Sequence, residues 1–251
     1  MVKISKDNLY ISTFSDNAIS LARKYDLGLE INHTCISENL DDIDKLIKDI
    51  SVDVRGFNKL IIHGPFTEIH PAAIDHRVKE LGLERLNEAY EVAKAFNIRK
   101  MVVHNGWVPF IYFKEYQALK GAEFFKEYMD GKNLTLAIEN VLEDEPYMLK
   151  DMLDKIEDDR IGICLDIGHL NAASNIDVLE WISVLGKYIK HFHLHNNYKD
   201  KDSHNILNDG TIDILKVLEK IDNICSEDTT FTIESRDTYG SIKFLEKEGL
   251  I

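Results

Sequence analysis

Cysteine is scarce in this chain. The three present, Cys35, Cys164 and Cys225, stand far apart and form no CxxC pair. That excludes a disulfide framework and a cysteine-rich zinc site, and a reducing cytoplasm fits best. Proline is nearly as rare, four in 251 residues, and no Gly/Ser-rich or low-complexity stretch interrupts the chain. Residues 1–251 therefore read as one domain. No apolar run approaches the roughly 20 residues of a membrane span, and the opening MVKISKDNLYIST lacks the apolar core of a signal peptide. Positive charge is in deficit: 30 Lys+Arg against 44 Asp+Glu leave a net charge of −14. This disfavours a broad nucleic-acid-binding face or attraction to anionic membranes. Neither GxGxxG nor GxxxxGK[ST] occurs, so dinucleotide and P-loop readings lose their main support.

Short apolar runs alternate with amphipathic segments along the chain. The runs are Leu9–Phe14, Leu27–Ile31, Lys59–His63, Lys100–His104, Leu134–Glu139, Ile161–Asp166, Ile189–His195 and Thr230–Glu234. They are rich in β-branched and aromatic residues, as buried parallel strands are. Between them, apolar residues recur at three and four, as in Ala18, Leu21, Ala22 and Tyr25, or Leu83, Leu86, Ala89, Tyr90 and Ala93. The same spacing marks Ile43–Ile50, Tyr147–Ile156, Ile176–Leu185, Ile212–Ile221 and Ser241–Glu248. Asp16 and Asp213 stand where a helix cap is expected. Eight strands alternating with helices predict a parallel sheet, and a length near 250 residues with a count of eight predicts a closed (β/α)8 TIM barrel. An open doubly wound sheet is the alternative.

Six of these strands end in metal-ligand residue types. They deliver His63, His104, Glu139, Asp166 followed by His169, His193 flanked by His191 and His195, and Glu234. In a parallel barrel all these ends share one face, the face that carries barrel active sites. Each residue also has an ordinary structural reading. A strand-end His can be a hydrogen-bonded rim residue, Glu139 an ion-pair partner, and Asp166 with His169 a helix cap. Glu234 can pair with Arg236, and one of the three strand-seven histidines can pack inside the barrel. Six such coincidences at one face are harder to accept than one shared site. Asp202 and His204, one residue apart in the polar segment after strand seven, can reach a common ion.

IIHGPF, VVHNG, AIEN, GICLDIGH, HFHLHN, DSH and TIES, in this order, resemble the xylose isomerase-like TIM-barrel superfamily over about residues 8 to 240. That superfamily contains sugar and sugar-phosphate isomerases and epimerases, and also the endonuclease IV nucleases (AP endonuclease family 2). The nuclease pattern implies three zinc ions. His63 and His104 would hold one, with Glu139 bridging to a second on Asp166, His193 and Glu234, and His169, Asp202 and His204 would hold the third. The epimerase pattern implies one divalent metal, often manganese, on Glu139, Asp166, His193 and Glu234, with His169 near substrate. The resemblance thus implies zinc or manganese, one to three ions.

Either chemistry uses such a set. Proton transfer between adjacent carbons needs a cation to polarise a carbonyl and hydroxyl pair, and an acid and a base, for which Glu139 and Glu234 qualify. Phosphodiester cleavage wants several close ions. The acidity and the lack of an evident DNA-gripping loop favour the first, with a small sugar or sugar phosphate as substrate. The full ligand set favours the second. Asn140 and Val141 follow Glu139, so the ExK lysine of the hydride-shift isomerases is absent. A barrel that binds metal and ligand without turnover is the third possibility. Trp107, Phe110, Tyr112 and Tyr198 can stack on a ring or simply cover the barrel mouth. Glu68 and His70 read as loop decoration.

Overall fold

The computed structural model describes residues 3–67 and 69–251; Glu68 lies outside the described residues. Eight parallel strands close into a barrel in sequence order. They are β1 Leu9–Ser12, β2 Gly28–Ile31, β3 Leu60–His63, β4 Lys100–His104, β5 Thr135–Glu139, β6 Ile161–Asp166, β7 Ile189–Leu194 and β8 Thr230–Ile233. The helices are α1 Ala18–Tyr25, α2 Ile43–Asp53, α3 His76–Ala95, α4 Lys114–Met129, α5 Tyr147–Ile156, α6 Ile167–Ala173, α7 Val178–Leu185, α8 Ile214–Ile224 and α9 Thr238–Lys247. β8 pairs with β1 through Leu9 and Phe231, so the sheet has no edge and the open-sheet alternative is excluded. No helix among the described residues is long and apolar enough to cross a membrane.

The main core lies between the strands and the helices, where Leu9, Ile11, Leu29, Ile62, Val103, Ile138, Leu165, Phe192 and Phe231 meet the helices' apolar faces. The barrel interior is a separate, smaller cluster: Ile61, Val102, Ala137 and Cys164, with Tyr10 against it. Side chains alternate along a strand, so the residue two positions on points the same way. Two positions beyond these four stand His63, His104, Glu139 and Asp166. The strand period thus brings the polar residues to the interior axis at the C-terminal rim.

The helices depart from the expected alternation in two places. β6 leads into a pair, α6 and α7, so there are nine α-helices among the described residues. Helix α4 lacks a readable apolar stripe because part of its buried face is Gln117, Ala118, Gly121 and Ala122. Small residues there let the chain approach closely: a Cβ at Gly121 would lie 2.6 Å from Met152 Sδ. Asp42, Asp75, Asp166, Asp177, Asp213 and Asp237 each accept a hydrogen bond from a first-turn amide. Part of the acidic surplus therefore serves helix N-termini. At α1 the cap position is Asn17, without a side-chain cap bond, and not Asp16.

Gly106 ends the turn after β4 with φ of +67°, and a Cβ there would lie 2.0 Å from the Ile69 carbonyl oxygen. Left-handed backbone alone costs an L residue about 1–2 kcal/mol, and the clash adds to it. Gly106→Ala is expected to lower stability by at least about 1 kcal/mol in urea unfolding; an unchanged midpoint would contradict this packing.

Candidate metal centre

Glu139 lies at the centre of the rim and is 1% exposed. Its Oε2 is 3.1 Å from His63 Nε2 and 3.2 Å from His104 Nε2. Its Oε1 is 2.9 Å from His193 Nδ1 and 3.3 Å from His169 Nδ1. His193 Nδ1 also faces Glu234 Oε2 at 3.5 Å and Asp166 Oδ2 at 3.6 Å. Outward from this centre, Asp202 Oδ2 is 3.3 Å from His169 Nε2 and 2.9 Å from His204 Nε2. All nine residues expected from sequence thus come together, and the paired carboxylates are surrounded by imidazoles rather than by Lys or Arg.

Three sets of donor atoms are compact enough to hold an ion, each within 4.8 Å of one another: His63, His104 and Glu139; Glu139, Asp166, His193 and Glu234; and His169, Asp202 and His204 joined by His195. The imidazole hydrogen bonds fit ligation. His63 Nδ1 donates to the Gly64 carbonyl at 2.9 Å, His169 Nδ1 to the Asn140 carbonyl at 3.0 Å, and His204 Nδ1 to the Glu234 carbonyl at 2.9 Å. A carbonyl only accepts, so each Nδ1 carries the proton, and each Nε2 would offer its lone pair to an ion held among the carboxylates. His193 has the reverse arrangement: Nε2 lies 3.0 Å from Glu30 Oε1, which leaves Nδ1 for the centre. Nitrogen and carboxylate donors of this kind suit zinc or manganese better than calcium.

A fourth set, Cys164, His191 and His193, is different. Burial pushes the Cys164 thiol well above its usual range, so it stays protonated. His191 is held on both sides, by Thr230 Oγ1 at 2.6 Å and by Glu30 Oε2 at 3.0 Å. Burial pushes its pKa down to about 4. This neutral ring is the strand-seven histidine that packs inside the barrel.

A family model described as xylose isomerase-like TIM barrel matches residues 19–249. The chain belongs to the xylose isomerase-like TIM-barrel family. It is 28% identical over 200 residues, 75% of this chain and 68% of the relative, to an uncharacterized Methanocaldococcus jannaschii protein, MJ1311. A solved structure described as a D-tagatose 3-epimerase-like protein shares 23% identity with a TM-score of 0.80, covering 96% of each chain. The TTHB071 protein from Thermus thermophilus, in a structure soaked with ZnCl2, shares 24% identity with a TM-score of 0.79 over 96% of this chain and 97% of that one.

Several residues of this xylose isomerase-like barrel's site were not singled out by sequence reasoning. Glu30 sits inside the apolar-looking run GLEI and is fully buried between His191 and His193. A charge in the middle of a buried strand was the available signal. Phe66 lies against His104 with ring centroids 4.8 Å apart, and Phe14 against His204 at 5.7 Å. Trp107 is structural, its indole N–H donating to the Tyr112 carbonyl at 3.1 Å. Phe110 is fully exposed, and Tyr198 donates to Asp209 at 2.6 Å.

Without metal, burial alone would lower the pKa of His169 and His204, but the carboxylates of Asp166 and Asp202 hold both above their usual range. Burial likewise opposes ionisation of Asp166 and Asp202, and the histidines hold both below theirs. A raised histidine stabilises the fold below its unfolded pKa of about 6.5, and the stability is lost as pH rises through the folded value. A lowered aspartate stabilises above its unfolded value of about 3.9 and fails only in stronger acid. Chelator-treated protein is therefore expected to show a falling Tm as pH is raised from about 6 to about 9 in calorimetry. A Tm that rises over that window would contradict the ionisation pattern.

Proposed function

We propose that this chain is a metal-dependent isomerase or epimerase that acts on a small sugar or sugar phosphate by proton transfer. The observation that supports it most is the Glu139, Asp166, His193 and Glu234 set: two glutamates and one aspartate around a single imidazole nitrogen. Those four residues would hold a divalent ion, whose chemistry there is to polarise an adjacent carbonyl and hydroxyl pair. The name of the D-tagatose 3-epimerase-like structure points to a ketose.

The chain's own groups supply the proton steps. Burial opposes the charge on Glu139, but His193 and His104 hold its carboxyl well below the usual range. It is thus held as an anion, the form that both a metal ligand and a general base require. Glu234, 9% exposed, is the more open of the two glutamates. It stands three strands from Glu139 in the closed barrel, on β8's end against β5's. One glutamate can take a proton from one face of a sugar carbon and the other return it to the opposite face, which inverts that carbon. Buried Glu30 holds His193 in one orientation. Phe66 and Phe14 beside the histidines offer apolar surface for the ring's carbon face.

A second reading, an endonuclease IV-like zinc phosphodiesterase acting on abasic-site DNA, draws on the two further ligand sets, which a single-ion epimerase does not need. Metal-loaded protein incubated with ketoses and their phosphates in deuterated water separates the two, with a duplex bearing one abasic site in parallel. Deuterium at the carbon next to the carbonyl is expected; strand cleavage without exchange would overturn the ranking. Metal bound with neither activity would leave a binding barrel. Glu139→Gln is expected to lose at least one metal equivalent and nearly all exchange. Unchanged metal content in that variant would contradict the role of Glu139.

A further inference from the structure

The two ends of the barrel differ in charge. The segments that lead from strands into helices, with the one joining α6 to α7, are 13–17, 32–42, 64–75, 105–113, 140–146, 174–177, 195–213 and 234–237. They hold three Lys and Arg against fifteen Asp and Glu among the described residues. At the opposite end, 3–8, 26–27, 54–59, 96–99, 130–134, 157–160, 186–188, 225–229 and 248–251 hold eight against nine. Strands and helices balance, so the net charge of −14 sits almost wholly around the mouth of the site.

The helices start at this end. A helix N-terminus is where a barrel receives a phosphate, because free amides and the positive end of the dipole meet an anion there. Here those positions are filled by the chain's own carboxylates. Besides the six capping aspartates, Glu145 accepts from Tyr147 N at 3.0 Å and Met148 N at 3.3 Å, the first amides of α5. Of the other two helices, α1 follows Asp16 and α4 carries Glu115 in its first turn. The three cations of the mouth, Lys199, Lys201 and Arg236, are exposed. Lys114 and Lys216, at the starts of α4 and α8, are tied to Asp144 and to Asp213. Bound ions do not reverse the sign. Three divalent ions together with the three cations would set nine positive charges against seventeen carboxylates, with Glu139 and Asp166 included.

We propose that this end of the barrel selects its substrate by charge, and that the substrate is a sugar without an anionic group, either neutral or bearing an amine. The proposal rests on the isomerase or epimerase reading above and decides between the sugar and the sugar phosphate which that reading allows. A phosphate ester brings about −1.5 to −2 charges into a negative field, and its usual place at a helix N-terminus is taken. A protonated amine is drawn into the same field. The selection acts on the end of the sugar away from the reacting carbons, so proton transfer stays with Glu139 and Glu234.

The test uses the metal-loaded full chain and ketoses alike except at the terminal carbon, which carries a hydroxyl, an amine or a phosphate. Deuterium exchange from solvent gives kcat/KM for each, at about 0.01 M and about 1 M salt, where the screening length falls from about 30 Å to about 3 Å. At low salt the expected order is amine, hydroxyl, phosphate, with the phosphate at least about tenfold below the hydroxyl. At high salt the three are expected to converge. Asp177→Asn/Asp213→Asn/Asp237→Asn keeps the caps, since Asn caps a helix as Asp does, and removes three charges. It is expected to leave the neutral ketose unchanged and to narrow the gap to the phosphate. If that variant fails to fold, the salt series on the wild-type protein decides alone. A phosphate ester exchanged as fast as the neutral ketose at low salt, or faster, overturns the proposal and leaves the isomerase reading standing. Loss of that activity in Lys199→Gln/Lys201→Gln/Arg236→Gln would then place a phosphate site on those cations. If none of the sugars exchanges deuterium, both readings fall.

Discussion

The site depends on one buried carboxylate. Glu139 sits where four imidazoles converge, with a nitrogen of each within 3.3 Å of one of its oxygens. An isolated carboxylate at that depth would be too costly to keep ionised. The barrel makes the arrangement possible by bringing strand ends to one axis. His63, His104 and Glu139 come from adjacent strands, and His193 from two strands further on. The outer positions are fixed by backbone carbonyls and by Glu30 and Asp166, which set the direction of each lone pair before any ion or substrate arrives.

The net charge of −14 takes on a different meaning once the fold is known. Glu30, Glu139, Glu143 and Asp166 are buried, and six aspartates cap helices. Part of the acidity is therefore internal or local. What the protein repels depends less on the bare sum than on where the exposed acids stand, which is around the site. The choice between a sugar and a phosphodiester rests on that placement and on how many of the ligand sets hold an ion.

The barrel and its rim were legible because period-two alternation and parallel strands leave little freedom. Once Ile61, Val102, Ala137 and Cys164 face inward, the residues two further on must face the same way. His63, His104, Glu139, Asp166, His193 and Glu234 were read from their places at strand ends, Asp202 and His204 from their spacing, and the resemblance grouped them into ligand sets. Glu30 escaped because a strand buried on both faces shows no alternation to reveal which side holds the charge. His195 was seen but left without a role, since its place beside Asp202 depends on how the β7–α8 loop folds back. Helix α4 was missed because the first half of its buried face is Gln117, Ala118, Gly121 and Ala122, and its apolar residues Phe124, Phe125, Tyr128 and Met129 fall only in the last turns.

The central claim is that Glu139 is the shared ligand of the rim. Anomalous diffraction at the zinc and manganese edges, on crystals of protein purified without added metal and then soaked with each ion, tests it most directly. The account predicts an anomalous peak about 2.0–2.2 Å from a Glu139 carboxylate oxygen, with His193 Nδ1 in the same coordination sphere. Ions found only at surface carboxylates, with Glu139 still bonded solely to its imidazoles, would contradict it.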